Sequence, residues 1–253
     1  MAFKPPAPTP AGLWRRVPPA IFPAIMGLFG LGLAWRRSAE AFGVPRGVGE
    51  AILGAVTLLF LFGLLAYMVK LLRRPPVLVE DLRILPGRAG IAALVLCFYL
   101  LSMTLAPYAA ALARGVLWAG FAAQLCLVVV LVHQLLTGPA EQRRVTPVWH
   151  LSYVGFVIGA LAATVFEFYL AALSLFAVTA LLAAFIWAAS AEQMLKESVP
   201  AALRPLLAIH LAPLALFGLV AHALELDAVA LGCAGIAALA MLWFVVRARW
   251  LTE

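Results

Sequence analysis

The sequence predicts an all-α polytopic membrane protein of eight transmembrane helices, and three observations carry that prediction. Of its 253 residues, 66% are hydrophobic and 11% charged, with a mean hydropathy of +1.07; so few charges do not coat a water-soluble globule of this size. The apolar residues come in runs long enough to cross a hydrocarbon layer of roughly 30 Å. The 18 Lys and Arg residues stand between those runs rather than along one face. Membrane insertion produces that distribution, and despite a net charge of +7 it argues against nucleic acid as a partner.

Taken in order, apolar windows of about 18 to 24 residues place the spans at 17–35, 48–69, 89–107, 115–136, 145–165, 168–189, 205–224 and 226–246. The first follows Arg15-Arg16 as a secretory signal would, but Pro18, Pro19 and Pro23 interrupt it and Arg36-Arg37 follows directly, so it reads as a retained helix. Segment 1–16 is then an N-terminal tail, 17–246 the membrane domain and 247–253 a C-terminal end. The connections at 165–168 and 224–226 are so short that each joins two adjacent antiparallel helices, making the chain a string of helical hairpins.

Orientation follows from the basic residues. Fourteen of them, from Lys4 to Arg249, fall on the side of the N-terminus; four, Arg36, Arg37, Arg46 and Arg114, fall on the other. The positive-inside rule therefore puts both termini in the cytoplasm, as expected of a multi-pass protein of a bacterial inner membrane. Proline sorts by helix parity as well. Pro18, Pro19 and Pro23 lie in the first span, Pro107 ends the third, Pro147 opens the fifth, and Pro205 and Pro213 lie in the seventh; the even spans have none. Pro213 frees the carbonyl of Ile209, which in hydrocarbon needs a partner from neighbouring helices or water. Kinked odd helices are thus expected inside, around a pore, and straight even helices outside against lipid.

Chemistry-bearing residues are sparse. Cys97, Cys126 and Cys233 lie in apolar runs without CxxC spacing, which suggests small core residues and no metal or disulfide framework. No GxSxG, HExxH, P-loop or paired-carboxylate arrangement occurs, so the sequence does not argue for an enzyme or a cofactor. No charged residue sits at the centre of a span, where it would mark a proton relay or ion-coupling site. Among the histidines, His133 and His150 lie near the same ends of their helices, and two axial haem ligands are one reading of them, in a haem-binding or structural membrane subunit. His210 and His222 are about 18 Å apart along one helix and do not share a metal. His210, a turn from both Arg204 and Pro213, is read either as lining a water-accessible path or as a buried neutral imidazole bonded to a backbone carbonyl. Gly155 and Gly159 form a GxxxG, a packing motif in membrane helices. Gln124, Ser102, Thr104, Ser152, Tyr153 and Thr164 are expected to bond within or across helices.

Pro19-Ala20-Ile21-Phe22, continuing through Gly27, Gly30 and Ala34-Trp35-Arg36, resembles the first helix of the tellurite-resistance/dicarboxylate transporter family, which includes the plant slow-type anion channels. Pro200-Ala201-Ala202-Leu203-Arg204 followed by Ile209-His210-Leu211-Ala212-Pro213 resembles the start of that family's seventh helix, and Thr146-Pro147 and the Pro75–Pro86 segment with Glu80 fit it too. The resemblance implies quasi-repeated hairpins with odd helices around a central pore, homotrimers in the bilayer, and transport of small inorganic or organic anions by a channel or exporter. A secondary carrier for C4-dicarboxylate or sulfite is the alternative. Carried onto this chain, the pore-lining candidates are Gly27, Gly30, Pro147, Gly155, His210 and Pro213. The family pattern continues with a ninth and a tenth helix, the ninth bearing a phenylalanine gate; this sequence ends after its eighth span, so a shortened form with four of five hairpins is expected.

The expected mechanism is selection by potential. One face carries 14 basic against 6 acidic residues, enough to concentrate anions at a mouth. Insertion topology demands the same asymmetry, so charge alone does not establish selectivity.

Overall fold

The computed structural model describes Gly12, Trp14 and residues 17–139 and 143–252. The expected N-terminal tail, with Lys4, Arg15 and Arg16, therefore lies outside the described residues apart from Gly12 and Trp14, as does Glu253. Every regular element among the described residues is helical. The helices are α1 (Phe22–Phe42), α2 (Arg46–Arg73), α3 (Val77–Arg83), α4 (Leu85–Leu105), α5 (Ala110–Thr137), α6 (Phe156–Val165), α7 (Tyr169–Lys196), α8 (Leu211–Ala223), α9 (Asp227–Val246) and α10 (Ala248–Thr252). Among the described residues, seven stretches are long and apolar enough to cross a membrane: Pro19–Phe42, α2, α4, α5, α7, Leu203–Ala223 and α9.

The fifth expected span, 145–165, is not a continuous α-helix. After Thr146-Pro147 the chain makes a π-helical turn over His150–Val154, and α6 follows from Phe156. The helical stretch His150–Val165 is shorter than the roughly 20 residues a span needs. The seventh span departs too. Residues Ala201–His210 form a 3-10 helix around Pro205, and the α-helix starts only at Leu211. Pro213 thus sits in the first turn of α8, where its missing N–H is tolerated, instead of kinking the middle of a helix as expected.

The chain forms two compact units divided at Leu94. In the first, α1 and α2 pair antiparallel: Gly63 meets Ile21 and Phe22, Gly32 meets Leu53, and Gly49 meets Trp35. Buried positions recur every three or four residues, Phe22, Ile25, Phe29, Gly32 and Arg36 on α1 against Gly49, Leu53, Val56, Phe60 and Gly63 on α2, the period of one helical face. Phe60 packs edge-on to Phe22 and Phe29, at 6.3 and 5.9 Å between ring centroids. The turn between the helices uses Gly43 at φ 68°, a left-handed cap that a Cβ disfavours.

That cap lies beyond the expected end of the first span, because α1 carries Arg36 and Arg37 within it. Arg36 is buried, its Nε and Nη2 each donating to a carboxylate oxygen of Glu50 at 2.8 Å. At the other end of the unit, Lys70 Nζ donates to Asp81 Oδ2 (2.8 Å) and to the Val17 carbonyl (3.0 Å), and Tyr67 OH donates to the same Asp81 oxygen (3.0 Å). These contacts tie α2, α3 and the approach to α1 together.

In the second unit α6 packs against α5, α7 and α8, while α9 packs on α8. Within the most apolar stretch of each span, 83% of α4 is buried, against 28% of α5, 22% of α7 and none of α9. In the first hairpin both members are 33% buried, so no difference between odd and even helices exists there. Of the three cysteines only Cys97 is buried; Cys126 is exposed on α5, because the buried stripe of that helix runs through Leu117, Gly120, Gln124 and Leu127.

Turns of the same form close α6–α7 and α8–α9. Glu167 and Glu225 adopt φ of 62° and 60°, Phe168 N–H bonds the Ala163 carbonyl at 3.0 Å, and Leu226 N–H bonds the Ala221 carbonyl at 2.8 Å. This is the helix-ending motif in which glycine normally takes the left-handed position. A left-handed non-glycine residue costs on the order of 1 kcal/mol, and both glutamates are exposed. Glu167→Gly and Glu225→Gly are therefore each expected to raise stability by about 0.5–1 kcal/mol, seen as higher melting temperatures of the purified protein. Unchanged or lower values would show that these carboxylates hold the turns in another way.

Candidate functional site

The second unit contains a histidine pair that sequence separation conceals. His150 Nε2 and His210 Nδ1 share a hydrogen bond of 2.9 Å, with the two rings nearly perpendicular and 5.0 Å apart. Each sits where the backbone is irregular. His150 opens the π turn, its N–H bonded to the Pro147 carbonyl at 3.0 Å, and His210 ends the 3-10 segment and precedes α8. Single π turns recur at functional sites because they redirect side chains that an α-helix would point elsewhere.

Trp187 of α7 joins them. Its indole N–H donates to the His210 carbonyl at 3.3 Å, and its ring lies 5.4 Å from that of His150. From α5, Gln124 Nε2 donates to the Ser152 carbonyl at 2.6 Å and so steadies the π turn. Gly155 makes room for that contact: a Cβ there would stand 2.5 Å from Leu96 Cδ2 and 3.3 Å from Gln124 Nε2. On its far side His210 borders an apolar groove of about 520 Å³, with Leu211, Leu214, Ile236, Ala240 and Trp243.

The site is unusual in what it leaves unpaired. Among the described residues, His150 Nδ1, His210 Nε2, Ser152 Oγ, Gln124 Oε1, Trp149 Nε1, Thr146 Oγ1 and Ser190 Oγ are buried polar atoms without a protein hydrogen-bond partner. Four of these residues lie within Thr146–Ser152, and Ser190 lies one turn from Trp187. Buried polar atoms in native proteins nearly always find partners, so a strip of them calls for water or a polar solute.

The six sequence-derived candidates fall in different settings. Gly27 and Gly30 lie on an exposed part of α1, with nothing within 4 Å of where a Cβ would stand. Pro147, Gly155, His210 and Pro213 belong to the second unit: Pro147 holds the turn before His150, Gly155 packs under Leu96 and Gln124, and Pro213 is buried just after His210. Gly159 packs too, since a Cβ there would meet Phe121 Cε1 at 2.6 Å.

His133 and His150, read from the sequence as one possible pair of haem ligands, sit in different settings. His150 spends Nε2 on His210, whereas His133 lies on an exposed face of α5. Of the two readings of His210, the carbonyl-bonded one is also replaced, because its Nδ1 meets an imidazole. No group of three or more potential metal ligands occurs among the described residues. Of the hydroxyl residues, Ser102 Oγ bonds the Ala113 carbonyl across to α5 (2.7 Å), whereas Thr104 and Thr164 bond carbonyls within their own helices. His150 and Trp187 were not among the sequence-derived pore candidates; the one signal for them is that an imidazole and an indole interrupt otherwise apolar runs.

Helices of membrane length, wide apolar exteriors and an interior strip of polar atoms define a multi-pass membrane protein. The chain belongs to the voltage-dependent anion channel (SLAC1) family, whose profile matches residues 16–252. That family groups with the tellurite-resistance/dicarboxylate transporters and comprises channels and transporters. No curated protein matches the chain.

Proposed function

We propose that this protein carries small anions across a bacterial inner membrane, and the family match over residues 16–252 is the observation that carries the reading. On this reading eight spans form four quasi-repeated hairpins within 17–246, both termini are cytoplasmic, and three copies associate. The higher burial of α4 and α6 relative to α5 and α7, and the shared turns after α6 and α8, support that arrangement. The polar strip from Thr146 to Ser152, with His210 and Gln124, supports a path through the second unit on which an anion exchanges water for weak, replaceable donors. Pro147, Gly155 and Pro213 shape this path, and His210 contributes a side chain to it.

The full chain reconstituted in liposomes is expected to pass bromide or nitrate with anion-selective reversal potentials. Cation-selective currents, or no anion flux from well-incorporated protein, reject the proposal. A secondary carrier for a C4-dicarboxylate or sulfite is the second reading, and the imidazole pair favours it by offering a group that changes charge within the bundle.

A further inference from the structure

We infer that His150 and His210 together form an anion-binding site that becomes competent by taking up one proton. The inference deepens the transport reading and rests on it for the class of ligand.

The argument starts from the hydrogen bond between the rings. Neutral imidazole has one N–H and one lone pair, so a neutral pair joined through Nε2 and Nδ1 leaves one donor and one acceptor at its outer nitrogens. One added proton changes that pattern. The inner bond persists, both outer nitrogens, His150 Nδ1 and His210 Nε2, carry N–H, and the pair bears a single positive charge. Those two outer nitrogens are the buried ring atoms that have no protein partner among the described residues. Two N–H donors on a pair with one charge suit a monovalent anion or one carboxylate as ligand.

The surroundings make proton and anion depend on each other. On α7 the neighbour is Trp187, next to His150 in the chain stand Trp149 and, on the π turn, Ser152, whose carbonyl Gln124 of α5 holds, and across the groove lie Ile236, Ala240 and Trp243 of α9. Arg204, two 3-10 turns before His210, directs its guanidinium to the carbonyls of Val199 and Trp250. Among the described residues no carboxylate bonds either ring, so no protein anion balances the protonated pair. An isolated charge in such an apolar setting is costly, and an incoming anion removes that cost. By linkage, the factor by which a proton tightens anion binding equals the factor by which the anion tightens proton binding. Anion binding therefore strengthens as pH falls, and proton and anion together enter as a neutral pair.

The test uses the full-length protein in detergent, weakly buffered, with bromide replacing gluconate at constant ionic strength. Proton uptake on adding bromide is expected, approaching one per chain, and is expected to vanish in His150→Gln and His210→Gln. Should either variant fail to fold, ring-nitrogen NMR of the labelled wild type serves instead, because the chain has only four histidines. Two of them are then expected to move part of the way toward imidazolium shifts when bromide is added, together by the equivalent of one proton. In vesicles, anion flux is expected to rise by up to about tenfold per unit fall in pH, the slope of one linked proton. Anion flux without bromide-linked proton uptake, or uptake unchanged in both glutamine variants, overturns the histidine site and leaves anion transport standing. Vesicles that pass no anion at any pH overturn the transport reading itself.

Discussion

Replacing Asp81 with alanine is expected to destabilise the first unit by about 3–5 kcal/mol, because it strands a buried ammonium. The side chains of Lys70 and Asp81 are 10% and 13% exposed, so solvent does little to compensate for a lost partner. Lys70 would keep the Val17 carbonyl, and Tyr67 OH would lose its acceptor as well. The double variant Lys70→Met with Asp81→Leu is expected to recover most of the loss, since an apolar pair of similar volume often replaces a buried ion pair without penalty. Thermal unfolding of the detergent-solubilised protein measures both. A single Asp81→Ala variant that melts like the wild type would show that Lys70 reaches water by a small rearrangement and that the α2–α3 clamp contributes little.

The second large effect is expected at Gly155. In Gly155→Leu, a side chain enters space where even a Cβ stands 2.5 Å from Leu96 Cδ2. Overpacking of this kind costs about 1–3 kcal/mol, and displacing Gln124 from the Ser152 carbonyl adds on the order of 1 kcal/mol for the lost hydrogen bond. Gln124 braces the turn that presents His150, so anion flux per folded molecule is expected to fall well beyond the loss of stability. Gly159→Ala supplies the comparison: the atoms nearest its Cβ belong to Phe121 and Tyr99 and not to Gln124. It is expected to lower the melting temperature while flux per folded molecule holds. Equal loss of flux in both variants would count against a special role for the Gln124–Ser152 contact.

Much of the architecture was legible from apolar periodicity and turn length. The short connections at 165–168 and 224–226 marked tight antiparallel hairpins, and the structure closes both with one turn form. Span edges were less legible. Helices α1 and α5 continue past their apolar windows, because a helix backbone satisfies itself whatever side chains it carries, and Arg36 finds Glu50. Proline marked the odd spans as irregular but did not reveal the form of the irregularity. A missing N–H at Pro205 or Pro147 admits a kink, a 3-10 stretch or a π turn, and packing selects among them.

At the candidate site, His210 and Gly155 were read from the sequence for reasons the structure only partly shares. His210 drew attention through Pro213 and Arg204, whereas its place in the structure comes from His150; Gly155, read as pore-lining, accommodates Leu96 and Gln124. The sequence by itself determined that this is a helical membrane protein, where its turns fall and which family it joins, because hydropathy, proline and short loops act locally along the chain. Only the tertiary structure decided that two imidazoles sixty positions apart meet at 2.9 Å beside Trp187. Three separate helical segments converge there, and no local propensity encodes the distance between them.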